Sequence, residues 1–325
     1  MHAVQLVAYG DPLEGLNYLD IPTPGAPGPN QVLIGVEFSP LNQSDLLLAR
    51  GIYGTRPALP TVIGNEGVGS VLAVGLGVQN VKLGDRVLAP LSSFTWRERM
   101  VVSANGLFAL PRDADPQQLA MLAINPPTAA LLLSEFVNLK PGDWVVQNSA
   151  NSGVGRWVIA FAKRRGLKSV NIVRRPELVA ELKAIGGDVV VVDSPDVAKE
   201  IKAVVDQAAL RLALDGVSGP ATGSLAATLS PNGTLVSYAA MSLGPMSISP
   251  LEVIFKPLTI RGFWLGHPQY EVKSASAVKQ AAEMIGSGQV YIPIAATYPL
   301  SSIKEAVAHA QRGGKILLNV AESSS

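Results

Sequence analysis

Apolar and polar positions alternate in short runs over the first third of the chain. Residues 31–38, 67–74 and 85–89 each read as a half-buried strand, with Gly and Pro punctuating the intervals. The part from Met1 to about Arg112 is therefore expected to be mainly β. Around 116–136 the pattern changes: Ala and Leu dominate and turn residues thin out, apart from Pro126 and Pro127. Helices broken at that proline pair are predicted, and a domain boundary is placed in this region. Beyond it come short apolar runs at 144–147, 169–173, 189–192, 212–214, 234–238 and 258–262, separated by stretches of helical character. Strands buried on both faces read as continuous apolar runs, and helices between them supply parallel crossovers, so the six predict a doubly wound α/β sheet. The tail adds a helix at 272–285, an extended segment at 293–298, a helix at 303–311 and a strand at 315–320, a set able to return to the β-rich part.

The first of the six apolar runs leads directly into Gln147-Asn148-Ser149-Ala150-Asn151-Ser152-Gly153-Val154-Gly155, and a helical stretch follows. A strand, a turn of small residues and a helix N-terminus present backbone N–H groups and the positive end of the helix dipole to a pyrophosphate. Ala150 and Ser152 stand where two glycines of the dinucleotide fingerprint would be, and Gly155 keeps the third. Taken alone, the loop reads equally as an ordinary tight turn into a helix. The second run ends 18 residues past Gly155, where NAD enzymes carry an acid for the ribose hydroxyls; Arg174 and Arg175 stand there instead. Guanidinium groups can grip a 2′-phosphate with paired hydrogen bonds, which favours NADPH over NADH, whereas the bland alternative is two solvated surface arginines.

Composition narrows the chemistry. The chain has 325 residues, enough for two domains, with 48% hydrophobic and 16% charged residues and a formal net charge of +1. No global field draws nucleic acid or an anionic membrane, so an anion site must be local. No cysteine is present, and His2, His267 and His309 are scattered without ligand-like spacing, so no metal site is expected. The first ten residues lack a basic segment followed by an apolar run, and no stretch of about 18 apolar residues follows. A soluble, cytoplasmic protein is expected.

Several segments together resemble the medium-chain dehydrogenase/reductase superfamily, and specifically its zinc-free enoyl thioester reductase branch of the mitochondrial 2-enoyl-CoA/ACP reductase type. They are Pro40-Leu41-Asn42-Gln43-Ser44-Asp45, Gly51-Ile52-Tyr53-Gly54, Asn65-Glu66-Gly67, Lys82-Leu83-Gly84-Asp85-Arg86-Val87, Ala123-Ile124-Asn125-Pro126, the 148–155 loop and Ile260-Arg261-Gly262-Phe263-Trp264-Leu265. The resemblance runs nearly end to end. It implies an α/β fold with a GroES-like β-rich catalytic domain at 1–122, an NADPH-binding Rossmann domain with a doubly wound parallel sheet at 123–262, and a C-terminal return at 263–325 completing the catalytic domain. The positions that match the zinc ligands of the alcohol dehydrogenases are Asn42 and Asn65, and amides are poor zinc ligands.

Carried over by resemblance, Tyr53 is the catalytic tyrosine near the nicotinamide, with Trp264 at the substrate pocket. Asn42 and Asn125 bind the cofactor, Asn125 beside its ring and ribose, and Asn151, Ser152, Gly153 and Val154 line the pyrophosphate. Tyr238 and Met241 close around the nicotinamide half with Phe263, Trp264 and Leu265, and Lys315 approaches the cofactor from the C-terminal return. The family pattern after the second strand is Arg-x-Arg, one residue longer than Arg174-Arg175-Pro176, so which arginine holds the phosphate stays open. Arg156 and Trp157 are bulkier than the family pattern in the first turn of the phosphate helix, and Arg156 reads either as an added anion contact or as exposed.

Reducing an enoyl thioester needs hydride at the β-carbon, support for the enolate oxygen and a proton at the α-carbon. A tyrosine of ordinary pKa, about 10, keeps its proton at neutral pH and can donate it. The expected activity is NADPH-dependent reduction of the carbon–carbon double bond of 2-enoyl thioesters. The alternatives are a zinc-free quinone oxidoreductase or reductase of small α,β-unsaturated carbonyls, and a non-catalytic NADPH-binding protein. Without family context, Tyr53 reads as a loop aromatic, Trp264 as core packing and Lys315 as a solvated turn lysine. A homodimer through edge pairing of the Rossmann sheet is implied by the superfamily.

Overall fold

A computed structural model describes residues 1–205 and 209–321, and its chain contacts separate into two units, Met1–Ile124 with the chain from Val278 onward, and Asn125–Ala277. The first stretch of unit one carries β1 (His2–Leu6), α1 (Pro12–Gly15), β2 (Leu16–Asp20), β3 (Gln31–Leu41), α2 (Gln43–Ala49), β4 (Thr61–Val62), β5 (Val68–Val74), β6 (Arg86–Leu88), β7 (Arg99–Ser103) and α3 (Pro116–Leu119). The alternation read from the sequence holds along β3, where Val32, Ile34 and Val36 are buried and their neighbours less so. β3 pairs antiparallel with both β5 and β7. It runs on to Leu41, past the expected end at 38, because β15, described below, supplies a further partner there.

Unit two contains α4 (Asn125–Ser134), β8 (Trp144–Gln147), α5 (Gly153–Arg164), β9 (Lys168–Val173), α6 (Leu178–Ala184), β10 (Val189–Val192), α7 (Val197–Val205), β11 (Leu210–Asp215), α8 (Ala221–Thr228), β12 (Thr234–Ser237), α9 (Pro250–Phe255) and β13 (Thr259–Gly262). Its six strands form one parallel sheet in the order β10-β9-β8-β11-β12-β13. This is the doubly wound sheet predicted from the six apolar runs. Val146, Val170, Ala213 and Leu235 are fully buried in its core with Leu225 and Ala226 of α8. The strand order reverses between β8 and β11, and the carboxyl ends of the strands flanking that reversal are where open parallel sheets bind ligands.

The proline pair does not interrupt a helix. Pro126 and Pro127 lie in the first turn of α4, where the missing N–H would have had no intrahelical partner and the fixed φ already suits the helix.

The division between the units passes inside α10 (Glu271–Gly286). Then come β14 (Ala296–Pro299), α11 (Ile303–Arg312) and β15 (Ile316–Asn319). β15 lies antiparallel to β3, with Leu317 opposite Pro40 and Leu318 opposite Ser39, giving the sheet order β14-β15-β3-β5-β6. Ile303, Val307, Ile316 and Leu318 join Val32, Ile34 and Val71 in the core of unit one. The tail's strands thus extend the sheet of unit one.

Candidate functional site

In unit two, the segments following β8, β9, β12 and β13 all leave the same edge of the sheet. The first is the phosphate loop. Buried Gln147, the last residue of β8, donates to the Gly155 carbonyl at 2.9 Å and to Asn171 at 2.8 Å, locking the strand against the start of α5. Ser152 caps α5, its hydroxyl accepting from the Gly155 amide at 3.1 Å. Gly155 has to be glycine, since a Cβ there would sit 2.5 Å from the Ala150 carbonyl oxygen. The Gly153 and Val154 amides have no acceptor among the described residues, the usual condition of a helix N-terminus.

Asn125 provides a second, independent sign of a ligand. It is 5% exposed and its Nδ2 has no hydrogen-bond partner among the described residues, while a Cβ on Gly153 would lie 2.8 Å from that same nitrogen. An unmet buried donor costs about 1–3 kcal/mol, which an acceptor brought by a ligand would recover. Asn125, Asn151, Ser152, Gly153 and Val154 are thereby gathered around one turn. Two free amides, a positive helix end and an orphaned carboxamide donor form a set that fits a dinucleotide's phosphates.

Tyr238 and Met241 follow β12. The Tyr238 hydroxyl is buried against Gly216, and burial raises its pKa; the Ser149 hydroxyl reaches the Met241 sulfur at 3.3 Å. The Phe263 amide donates to the Ser237 carbonyl, which sets the exit from β13 next to the exit from β12. Phe263 is buried against Tyr270, while Trp264 is 38% exposed and Leu265 half-buried. Arg174 and Arg175 are exposed immediately after β9, and Arg175 has Glu177 at 3.6 Å.

Arg156 meets neither of its expectations. It is 6% exposed, its Nε donates to the Asn151 carbonyl at 3.2 Å, and its other end pairs with Glu181 on α6. Side chains in a helix tilt toward its N-terminus, so an arginine in the first turn reaches back under the loop rather than out of it. Asp215 and Thr222 were missed by sequence reasoning. Buried Asp215, the last residue of β11, accepts from Asn148 at 2.7 Å and Thr222 at 2.6 Å, and Asn148 returns an acceptor to the Gly216 amide at 2.8 Å. That network fixes the start of the phosphate loop to the loop after β11.

Unit one holds a buried polar cluster. The Lys315 ammonium donates to Asn42 Oδ1 at 2.8 Å, and Asn42 Nδ2 donates to Glu66 Oε1 at 2.8 Å. Glu66 Oε2 accepts from the Ala123 and Ile124 amides, at 2.9 and 3.0 Å. Asp45 accepts from the Asn42 and Asn65 amides at 2.8 and 2.9 Å. Burial pushes the Glu66 carboxyl up to about 7, opposed first by the Lys315 charge, and Asp45 up to about 6, opposed first by the Asn42 amide. Desolvation lowers Lys315, opposed by the two carboxylates. Lys315 is half-buried rather than a solvated turn lysine. Glu66 and Asp45 were within the quoted motifs, but nothing local marked them as partners of a lysine from the end of the chain. The Asn65 carboxamide faces Ser44 and Ser92. Asn42 and Asn65 thus engage protein partners at the positions expected to match zinc ligands, and carboxamides make poor zinc ligands. Tyr53 lies in the loop after α2, partly buried against the core of unit one.

Residues 153–285 match the family described as zinc-binding dehydrogenase, and residues 28–112 match the alcohol dehydrogenase GroES-like domain. The chain is 37% identical over 310 residues to the mitochondrial enoyl-[acyl-carrier-protein] reductase of Rattus norvegicus, spanning 92% of this chain and 82% of that protein. It is 37% identical over 262 residues to the protein of the same description in Caenorhabditis elegans, spanning 79% and 75%. Among solved structures, the complex of Etr1p with NADP and crotonyl-CoA is similar with a TM-score of 0.89 at 26% identity, covering 98% of this chain and 99% of that one. A protein described as an NADPH:quinone reductase from Bacillus thuringiensis is similar with a TM-score of 0.87 at 26% identity, covering 98% of each chain. The chain belongs to the enoyl thioester reductases of the medium-chain dehydrogenase/reductase superfamily.

Proposed function

We propose that this chain reduces the carbon–carbon double bond of 2-enoyl thioesters with NADPH. The observation that carries the cofactor half is the convergence of the unpartnered Asn125 carboxamide nitrogen with two unpartnered amides at the start of α5. Likeness to relatives described as enoyl-[acyl-carrier-protein] reductases, and to a complex that contains crotonyl-CoA, supports the substrate half.

In this reading the first 122 residues and the return from 263 form the catalytic domain, and 123–262 bind the cofactor. Asn151, Ser152, Gly153 and Val154 hold the pyrophosphate, Arg174 and Arg175 the 2′-phosphate, and Asn125 the ring and ribose. Tyr238, Met241, Phe263, Trp264 and Leu265 enclose the nicotinamide half, with Asn42 and Lys315 as further cofactor contacts and Trp264 shaping the substrate pocket. Held by these residues, NADPH would supply hydride-donor chemistry for the β-carbon. The Tyr53 phenol hydrogen-bonds the developing enolate oxygen or donates its proton.

NADPH consumption by wild type and Tyr53→Phe with crotonyl-CoA, a quinone and a small enal tests this. Crotonyl-CoA is expected to be turned over fastest, with kcat about 10²-fold lower in Tyr53→Phe, the scale of losing general-acid help. Turnover of the quinone alone, with Tyr53→Phe silent, would refute the thioester reading in favour of a quinone reductase, the second reading that the Bacillus thuringiensis structure favours. NADPH binding with no acceptor reduced would leave a non-catalytic binding protein.

A homodimer is part of the proposal. β13 is an edge strand whose four residues are all exposed, and Leu251, Ile254 and Phe255 of α9 are exposed too. An open strand edge with apolar surface is material for pairing with a second copy. Among the described residues no helix is long and apolar enough to cross a membrane. A cytoplasmic location is proposed alongside; the relatives are described as mitochondrial, and immunoblotting of cell fractions decides between the two.

A further inference from the structure

Tyr53 sits in a loop with little structure of its own. After α2 the chain bends at Gly51, with φ +75°, and no regular element resumes until Thr61. Ile52, Gly54, Thr55 and Arg56 are exposed. Among the described residues, 54–60 make one hydrogen bond, in which the Pro57 carbonyl accepts from the Tyr9 hydroxyl. Small misplacements of catalytic groups are costly, so the contacts that fix this loop bear on the placement of the phenol it carries.

Tyr9 touches this loop at three points. Its hydroxyl bonds Pro57, the Arg56 guanidinium carbon lies 4.5 Å over its ring centroid, and a Cβ on Gly51 would stand 3.2 Å from its ring atoms. The contacts fall two residues before Tyr53 and three and four residues after it, so one ring spans both ends of the turn that carries the phenol. The ring is itself anchored: Gly10, its neighbour, donates to the Ala49 carbonyl at 3.1 Å at the end of α2, and Tyr9 packs on the core of unit one. The cation–π contact orients Arg56, and a side chain at Gly51 would press on the Tyr9 ring and sit at a φ of +75° that L-residues rarely adopt.

We propose that Tyr9 is a positioning residue for Tyr53, clamping both ends of its loop so that the phenol is held in place. This rests on the reading of Tyr53 as the proton-donating or orienting group. Tyr9→Phe keeps the ring on Gly51 and under Arg56 and removes only the bond to Pro57; Arg56→Gln, at an exposed position, removes the cation and keeps the fold.

The test is a double-mutant cycle in the full-length protein, with NADPH oxidation by crotonyl-CoA as readout. In the wild-type background, Tyr9→Phe is expected to lower kcat about 10-fold with KM for NADPH within about 2-fold; in a Tyr53→Phe background the same change is expected to cost less than about 2-fold, because the group it positions is gone. Arg56→Gln should show the same non-additivity with a smaller drop. Equal losses in both backgrounds, or no loss from Tyr9→Phe in the wild type, would overturn the proposal while leaving Tyr53 catalytic. A silent Tyr53→Phe would remove the catalytic reading itself, and this proposal with it, which separates the two failures.

Discussion

Arg174 and Arg175 project from exposed positions just past β9, and among the described residues an ion pair is formed by Arg175, with Glu177. Exposed guanidinium groups contribute little to folding, so their removal should read out on the ligand rather than on the fold. Arg174→Ala with Arg175→Ala is expected to weaken NADPH about 10²-fold while leaving NADH within about 2-fold, since only the former brings a 2′-phosphate for a guanidinium to grip. Fluorescence titration with both cofactors checks it, and equal losses would remove the 2′-phosphate role. These arginines were legible because position alone exposes them: the apolar run ends and the charge begins. Arg156 was not legible, although it lies in the same stretch of chain. Its fate depended on a carbonyl at Asn151 and a carboxylate at Glu181, 25 positions further on, and composition favours exposure for any arginine.

At the scale of elements, β8, its turn and α5 form a unit whose geometry is set by what cannot fit. A Cβ at position 155 would meet the Ala150 carbonyl oxygen at 2.5 Å and the Ala150 Cα at 2.7 Å, both backbone atoms that cannot swing aside. Gly155→Ala should therefore force α5 away from β8, destabilise the protein by about 1–3 kcal/mol and weaken NADPH together. Thermal melts with and without NADPH measure both effects. An unchanged melt with full affinity would show that the close approach is not required. This element was readable because strand, small-residue turn and helix are contiguous in sequence. The proline pair shows the opposite case. Its consequence depended on where the helix begins, and element boundaries are set by capping and tertiary contacts that a local pattern does not contain.

At the scale of the whole molecule, the cluster of Lys315, Asn42, Glu66 and Asp45 joins the return strand to the first third of the chain. The bond between Lys315 and Asn42 spans 273 positions. Its carboxyls titrate at about 6 for Asp45 and about 7 for Glu66, above the ordinary 3.8 and 4.5, so between about pH 4 and 7 the folded state binds more protons than the unfolded one. Stability from these two groups is present at low pH and lost as pH rises through about 7. Lys315 has the opposite sign in the alkaline range, because its lowered pKa means that the unfolded chain holds the proton more tightly. Glu66→Gln leaves one carbonyl oxygen for three donors and should lower stability at every pH, yet it should also flatten the fall between pH 4.5 and 7. Denaturant melts across that range read the slope, and an unchanged slope would show that Glu66 does not titrate there.

The sequence by itself determined the elements whose signal is local. These are the alternating strands of the β-rich unit, the six apolar runs of the parallel sheet, the phosphate loop and the arginine pair, because periodicity and turn chemistry act over a few neighbouring residues. Only the tertiary structure decided which distant polar groups share one buried place. It set Lys315 against Asn42 and Glu66, Arg156 under Asn151, and the Tyr9 ring beneath the loop of Tyr53. The physical reason is that a buried polar group must find a partner wherever the folded chain supplies one, and sequence distance does not enter that requirement.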